Sequence, residues 1–244
     1  MNERVVVGFE LQIPYENRRV FDATLDFCVD FHPDRIVIIG DFVDVPGPSR
    51  WNRGTALEFS GSLQRELRKG QDYLTQLRTT VGDTTRIDFH SGNHEKRIDS
   101  YIRNKAPAFA GLEGLRIPVL LGFDKLGISE LPDVAPFAVN WVTTHGDVVS
   151  RTLSRTAGNS ALIQARRIGK SVIMGHTHRL GVISETVAGK TLTGVETGHG
   201  MDLQKASYIS YPNWQAGFVA FELENNRVKK IHQVKLSSKG DVSW

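Results

Sequence analysis

Four short apolar runs in this chain end in the same way, and that repetition constrains the fold more than any other feature. After RIVII comes GDFVD; after TRIDFHS comes GNHE; after VNWVTT comes HGD; after KSVIM comes GHTH. Short runs rich in Val and Ile read as strands buried on both faces, the habit of parallel sheets. In α/β sheets, sites form outside the carboxyl ends of strands, where residues distant in sequence converge. Three of the four clusters begin with Gly, which lets a backbone approach a ligand closely. One Asp or His after a strand is commonplace; four such clusters exceed ordinary loop composition.

The segments between these runs have helical spacing. Residues 16–31 place Val20, Leu25, Phe27 and Phe31 on one side, and Leu57 to Leu77 reads as a long amphipathic helix carrying Leu63, Leu67, Leu74 and Leu77. Residues 94–105 and 159–170 read as helices, while 106–138, rich in Pro, Gly and Leu, reads as an irregular insertion or lid. Two hairpins are predicted near the end, turning at Ala188–Gly189 and Asn225–Asn226. Strand–helix alternation followed by hairpins predicts an α/β layered fold with mixed sheets, as one domain over residues 1–244.

Composition excludes several alternatives. With 40% hydrophobic and 23% charged residues the chain has the makeup of a globular protein rather than a disordered one. The net charge of +3 tolerates an anionic substrate without requiring one. A single cysteine, Cys28, rules out an internal disulfide framework and a Cys-rich zinc site; within LDFCVDF it reads as a small core residue. No apolar run approaches the roughly 18 residues of a membrane span, so a soluble, cytoplasmic protein with no membrane partner is expected.

The residue types at the strand ends suit one task. Asp41 can offer one carboxylate oxygen to each of two divalent cations. Asn93 adds a neutral oxygen, and His145, His176 and His178 add imidazole nitrogens, a set suited to Mn, Fe, Zn or Ni better than to Ca. Paired cations can clamp a phosphate and activate water, leaving His94 free to protonate the leaving oxygen.

GDFVD, GNHE, HG and GHTH, in that order from Gly40 to His178, resemble the calcineurin-like metallophosphoesterase family. PNWQAGFVAFEL also resembles a stretch seen in phage-encoded members. The resemblance implies a four-layer α/β/β/α sandwich with two mixed β-sheets and a dinuclear site on strand-end loops. It implies that Asp41 bridges the metals, that Asn93, His145 and His176 complete the second site, that His178 serves the first, and that His94 is the catalytic histidine. The implied function is a metal-dependent phosphoester hydrolase, phosphodiesterase or nuclease-like. Its cofactor would be one or two divalent ions, Mn first among Mg, Fe, Zn and Ni, and its substrate a phosphoester, nucleic acid or nucleotide included.

The first block departs from that family. Where its members carry Asp-x-His, this chain has Glu10-Leu11-Gln12. Formal charge is preserved, but Glu reaches about 1.5 Å further and an amide oxygen is a harder ligand than imidazole. The first metal is expected to be weaker, harder in preference, or absent; the rival expectation is a catalytically degenerate member kept as a binding or scaffold module. Among the remaining candidates, Arg50 and Arg53 could meet a phosphate. Asp44 reads as an acceptor that fixes its loop, and His199 as a turn-stabilising residue. His32, His90 and His232 read as structural, and Trp51, Trp141 and Trp214 as core or rim.

Overall fold

The computed structural model describes residues 2–150, 152–205 and 212–244. Strands β1 (Asn2–Gly8), β2 (Arg35–Ile38), β3 (Arg86–His90) and β4 (Ile128–Leu131) run parallel at the heart of one sheet. Strands β5 (Val134–Ala138), β6 (Trp141–Thr144), β7 (Ser171–Met174), β8 (Leu180–Val187) and β9 (Lys190–Thr197) form a second sheet in the order β5-β6-β7-β9-β8. Strands β10 (Gly217–Glu224), β11 (Arg227–Leu236) and β12 (Val242–Ser243) then return to the first sheet, antiparallel, beyond β1. Both sheets are therefore mixed.

Alternation along the strands builds the layers. Val6, Ile36, Ile38, Ile87 and Phe89 face outward onto α1 (Arg18–Phe31) and α2 (Leu63–Val81), meeting Phe21, Phe27, Leu74 and Leu77. Their neighbours Val5, Val7, Val37 and Ile39 point the other way and pack on Phe137, Ile173 and Val195 of the second sheet. That sheet's outer face, through Val142, Val172 and Met174, meets Ala161, Leu162 and Ala165 of a further helix, Asn159–Ile168. The result is the expected α/β/β/α sandwich.

The hairpin turns hold as expected, with Ala188, Gly189, Asn225 and Asn226 all at positive φ. Two segments differ from the sequence reading. The long helix begins at Leu63 rather than Leu57, because Gly61 turns the chain at φ +66° and Leu57 is left exposed. Residues 106–138 are not merely irregular: they carry α4 (Ile117–Leu120), α5 (Phe123–Leu126), β4 and β5. Only Pro132 and Asp133 separate β4 from β5, so the chain crosses from one sheet to the other there. No helix among the described residues is long and apolar enough to cross a membrane.

His90 ties the sheets together as a structural residue, its Nε2 lying 2.9 Å from Thr143 Oγ1. Burial, helped by the positive field of His145, pushes its pKa down to about 3. An unfolded chain takes up this proton from pH 6.5 downward, whereas the folded chain resists until about pH 3. Stability contributed by neutral His90 is therefore lost as pH falls through that window, at up to about 1.4 kcal/mol per pH unit. Urea unfolding between pH 6.5 and 4 should show wild type losing stability more steeply than His90→Gln; identical slopes would contradict the assignment.

Candidate metal centre

The carboxyl ends of β1, β2, β3, β6 and β7 lead into the loops bearing Glu10, Asp41, Asn93, His145 and His176. The backbone turns sharply where it delivers them: Gln12, Asp41, His176 and His178 have φ between +49° and +67°. Side chains rarely adopt that region, so the surrounding structure holds them there. Close approach is also required of Gly92, where a Cβ would run into the Asp41 carboxylate.

Asp41 lies at the centre and is 1% exposed. Its Oδ2 is 3.2 Å from His145 Nε2 and 3.6 Å from His94 Nε2, and its Oδ1 accepts from the His94 backbone N–H at 2.9 Å. His145 Nδ1 faces the Ile39 carbonyl at 2.9 Å. Donation there leaves Nε2 to face Asp41 with either a proton or a cation, and the same Nε2 is 3.1 Å from Asn93 Oδ1. The His176 ring stands at 73° to that of His145, with centroids 5.1 Å apart. Asp41, His145 and His176 thus form a candidate metal cluster, with ligand atoms within 4.8 Å of one another.

A second cluster shares Asp41 and adds Glu10 and His178. Glu10 Oε2 accepts the His176 backbone N–H at 2.9 Å, while Oε1 points at His178 Nε2, 2.9 Å away. Room for the longer carboxylate comes from Gly175, where a Cβ would stand 2.8 Å from Glu10 Oε2. The Gln12 amide also reaches His178 Nε2, at 2.7 Å. Glu10 Oε1 and Gln12 Oε1 are buried without a hydrogen-bond donor, and a half-turn of the amide puts the Gln12 oxygen toward His178. Buried oxygens converging on an imidazole without donors of their own suit a cation.

Electrostatics agree. Burial would raise the Asp41 carboxyl, yet His145 and His94 hold it well below the usual carboxylate range. Burial would lower His145, but Asp41 outweighs it and the imidazole is held up to about 10. Burial and the charge of His145 push His176 down. Without a cation, a proton on His145 does the work of neutralising Asp41.

His94 stands beside both clusters. Its Nδ1 is 2.5 Å from Asp44 Oδ1. The Asp44 carboxylate, expected to fix its own loop, meets His94 and Arg97 instead. Burial opposes the imidazolium, but Asp41 and Asp44 outweigh it and raise the His94 pKa.

Two contributors escaped the sequence reading. Glu95, the last letter of GNHE, is buried and accepts backbone N–H groups of Asp41, Val43 and Gly92 at 2.8 to 2.9 Å, clamping the loops after β2 and β3 together. Burial and the Asp41 charge push it up to about 7. Arg97 sits one turn beyond His94 on α3 (Lys96–Lys105), with Nη2 3.1 Å from His94 Nε2 and Nη1 donating to the Asp44 carbonyl at 2.6 Å. Helical spacing from His94 was the available signal.

Arg50 stacks over the Trp51 ring at 4.7 Å, and Arg53 is exposed. His199 accepts from the Met201 N–H through Nδ1 at 3.0 Å, the turn role expected of it, with its ring 5.8 Å from that of His178. Trp214 packs edge-on against His178, and Trp141 against Phe221.

The architecture is an α/β sandwich matching the metallophosphoesterase fold, with candidate metal-binding clusters at its strand ends. Vacuolar Protein Sorting 29 from Cryptosporidium parvum has a similar fold, at TM-score 0.52 and 18% identity, covering 99% of this chain and 95% of that one. Nuclease MPE from Pseudomonas putida aligns at TM-score 0.39 and 12% identity, over 92% of this chain and 84% of that one. No family model matches the sequence. The Gene 54 protein of Mycobacterium phage D29 is 33% identical over 237 residues, covering 94% of this chain and 92% of that protein. Its counterpart in Mycobacterium phage L5 is 32% identical with the same coverage. The chain belongs to the family of these mycobacteriophage Gene 54 proteins.

Replacing Glu95 by Ala orphans three buried N–H donors, which at about 1–3 kcal/mol each should cost several kcal/mol in urea unfolding. Loss under about 1 kcal/mol would show that the clamp is dispensable.

Proposed function

We propose that this protein is a metal-dependent phosphoester hydrolase acting on phosphodiesters, nuclease-like in substrate. The observation that carries the reading is the shared Asp41 carboxylate, which faces two ligand clusters and His94 at once. Asp41, Asn93, His145 and His176 would hold one divalent cation, and Asp41, His178, Glu10 and Gln12 a second, with Mn suiting the mixed oxygen and nitrogen donors. When bound, such cations stabilise charge developing on a phosphoryl group and acidify water.

The chain's own residues do the rest. His94 is held at Nδ1 by Asp44, Asp41 and Asp44 raise its pKa against burial and Arg97, and from Nε2 it would hand a proton to a leaving-group oxygen. Arg97, 21% exposed and beside His94 Nε2, is the cation placed to bind a non-bridging phosphoryl oxygen. Arg50 and Arg53 would engage substrate further from the reacting phosphorus.

Acid catalysis matters most when the leaving group is poor. With Mn added, His94→Asn should slow hydrolysis of an alkyl phosphodiester by about 10²–10⁴-fold and hydrolysis of bis(4-nitrophenyl) phosphate far less. Equal losses on both substrates would remove His94 from the acid role. Wild-type protein inert on both, with every divalent metal tried, would remove the hydrolase reading itself.

A further inference from the structure

Residues 46–62, which follow the Asp41 loop, carry two aromatic side chains that pack on no core. Trp51 and Phe59 are each 77% exposed, so of the core and rim roles expected of Trp51 the core role does not hold. Large aromatics left in water on an ordered segment mark contact surfaces. The segment is ordered by its own bonds: Asn52 Nδ2 donates to the Pro46 carbonyl at 2.7 Å, and Thr55 Oγ1 to the Asn52 carbonyl at 2.7 Å. The Gly54 N–H donates to Glu58 Oε2 at 2.6 Å.

Its position relative to the metal centre follows from α3. Tyr101 donates to Glu58 Oε1 at 3.0 Å. Tyr101 lies four residues beyond Arg97 on the same helix, about 6 Å along its axis, and Arg97 touches His94. The aromatic segment is therefore tied to α3 one helical turn beyond the arginine that touches the proposed acid. Its charge has a matching sign: Arg50 lies over Trp51, and Arg53 and Lys105 come close enough to Glu58 to lower its pKa, behind the hydrogen bonds from Gly54 and Tyr101. Both arginines are exposed.

We infer that Trp51 and Phe59, flanked by Arg50 and Arg53, form a stacking platform for single-stranded nucleic acid that feeds the phosphodiester to the metal centre. Bases offer faces to aromatic rings and phosphates offer charge to guanidinium groups, and both demands are met on one short segment. A duplex keeps its bases stacked inside and cannot use the rings. The inference rests on the hydrolase reading for the fate of the strand, and on exposed aromatics and arginines for its capture.

The test is anisotropy of fluorescein-labelled dT12 and rU12 with the full-length protein in EDTA, where no cleavage is needed. Wild type should bind both single strands and bind a 12-bp duplex more weakly. Trp51→Ala and Phe59→Ala, with unchanged thermal midpoints, should each weaken single-strand binding by about tenfold or more. Arg53→Ala should flatten the dependence of log Kd on log salt by about 0.7. Single-strand binding that is absent at low salt, or unaltered in both aromatic variants, overturns the platform. The hydrolase reading is tested separately on bis(4-nitrophenyl) phosphate. Binding without hydrolysis supports the platform and overturns the hydrolase; hydrolysis without binding overturns the platform alone.

Discussion

A buried carboxylate cannot remain charged without partners, and Asp41 is the buried carboxylate around which this molecule is arranged. Its oxygens meet His145 and the His94 backbone, and its own N–H is held by Glu95. Glycine at position 92 is required because any side chain would strike Asp41. Two sheets are needed to supply this surrounding: Asp41 and Asn93 come from strands of one, His145 and His176 from strands of the other. The inter-sheet core of Val7, Ile39, Ile173 and Val195 sets how closely those strand ends approach.

Much of this was legible in the sequence, because strand-end clusters are local patterns. Four apolar runs followed by Asp, Asn and His located the loops, and strand–helix alternation, with the family resemblance, pointed to the layers. What could not be read was set by contacts between distant segments. Of the strands within 106–138, β4 is held as a sheet edge by β3, far back along the chain, and β5 by its hairpin with β6, and their own composition resembles loop. Leucine spacing continues through Gly61, which turns the backbone, so the long helix starts later than that spacing predicts. Asp44 and Glu95 look like ordinary polar residues until the fold brings Asp44 to His94 and Glu95 to three backbone donors.

The altered first block is where geometry says most. A Glu is longer than an Asp, and here the extra length is taken up: one oxygen caps the His176 N–H and the other turns toward His178. Gln12 converges on the same nitrogen. The cluster of Glu10, Asp41 and His178 is therefore richer in oxygen than that of Asp41, His145 and His176, where two imidazoles supply nitrogens. A single chain can in this way offer one softer and one harder position around a common carboxylate.

The central claim is that Asp41 serves two cations, with Glu10 and Gln12 completing the harder site. Isothermal titration of metal-stripped protein with Mn²⁺ measures this directly. The account predicts two unequal equivalents per chain, the weaker lost in Glu10→Ala and both severely weakened in Asp41→Asn. A single equivalent, unaffected by Glu10→Ala, would contradict it.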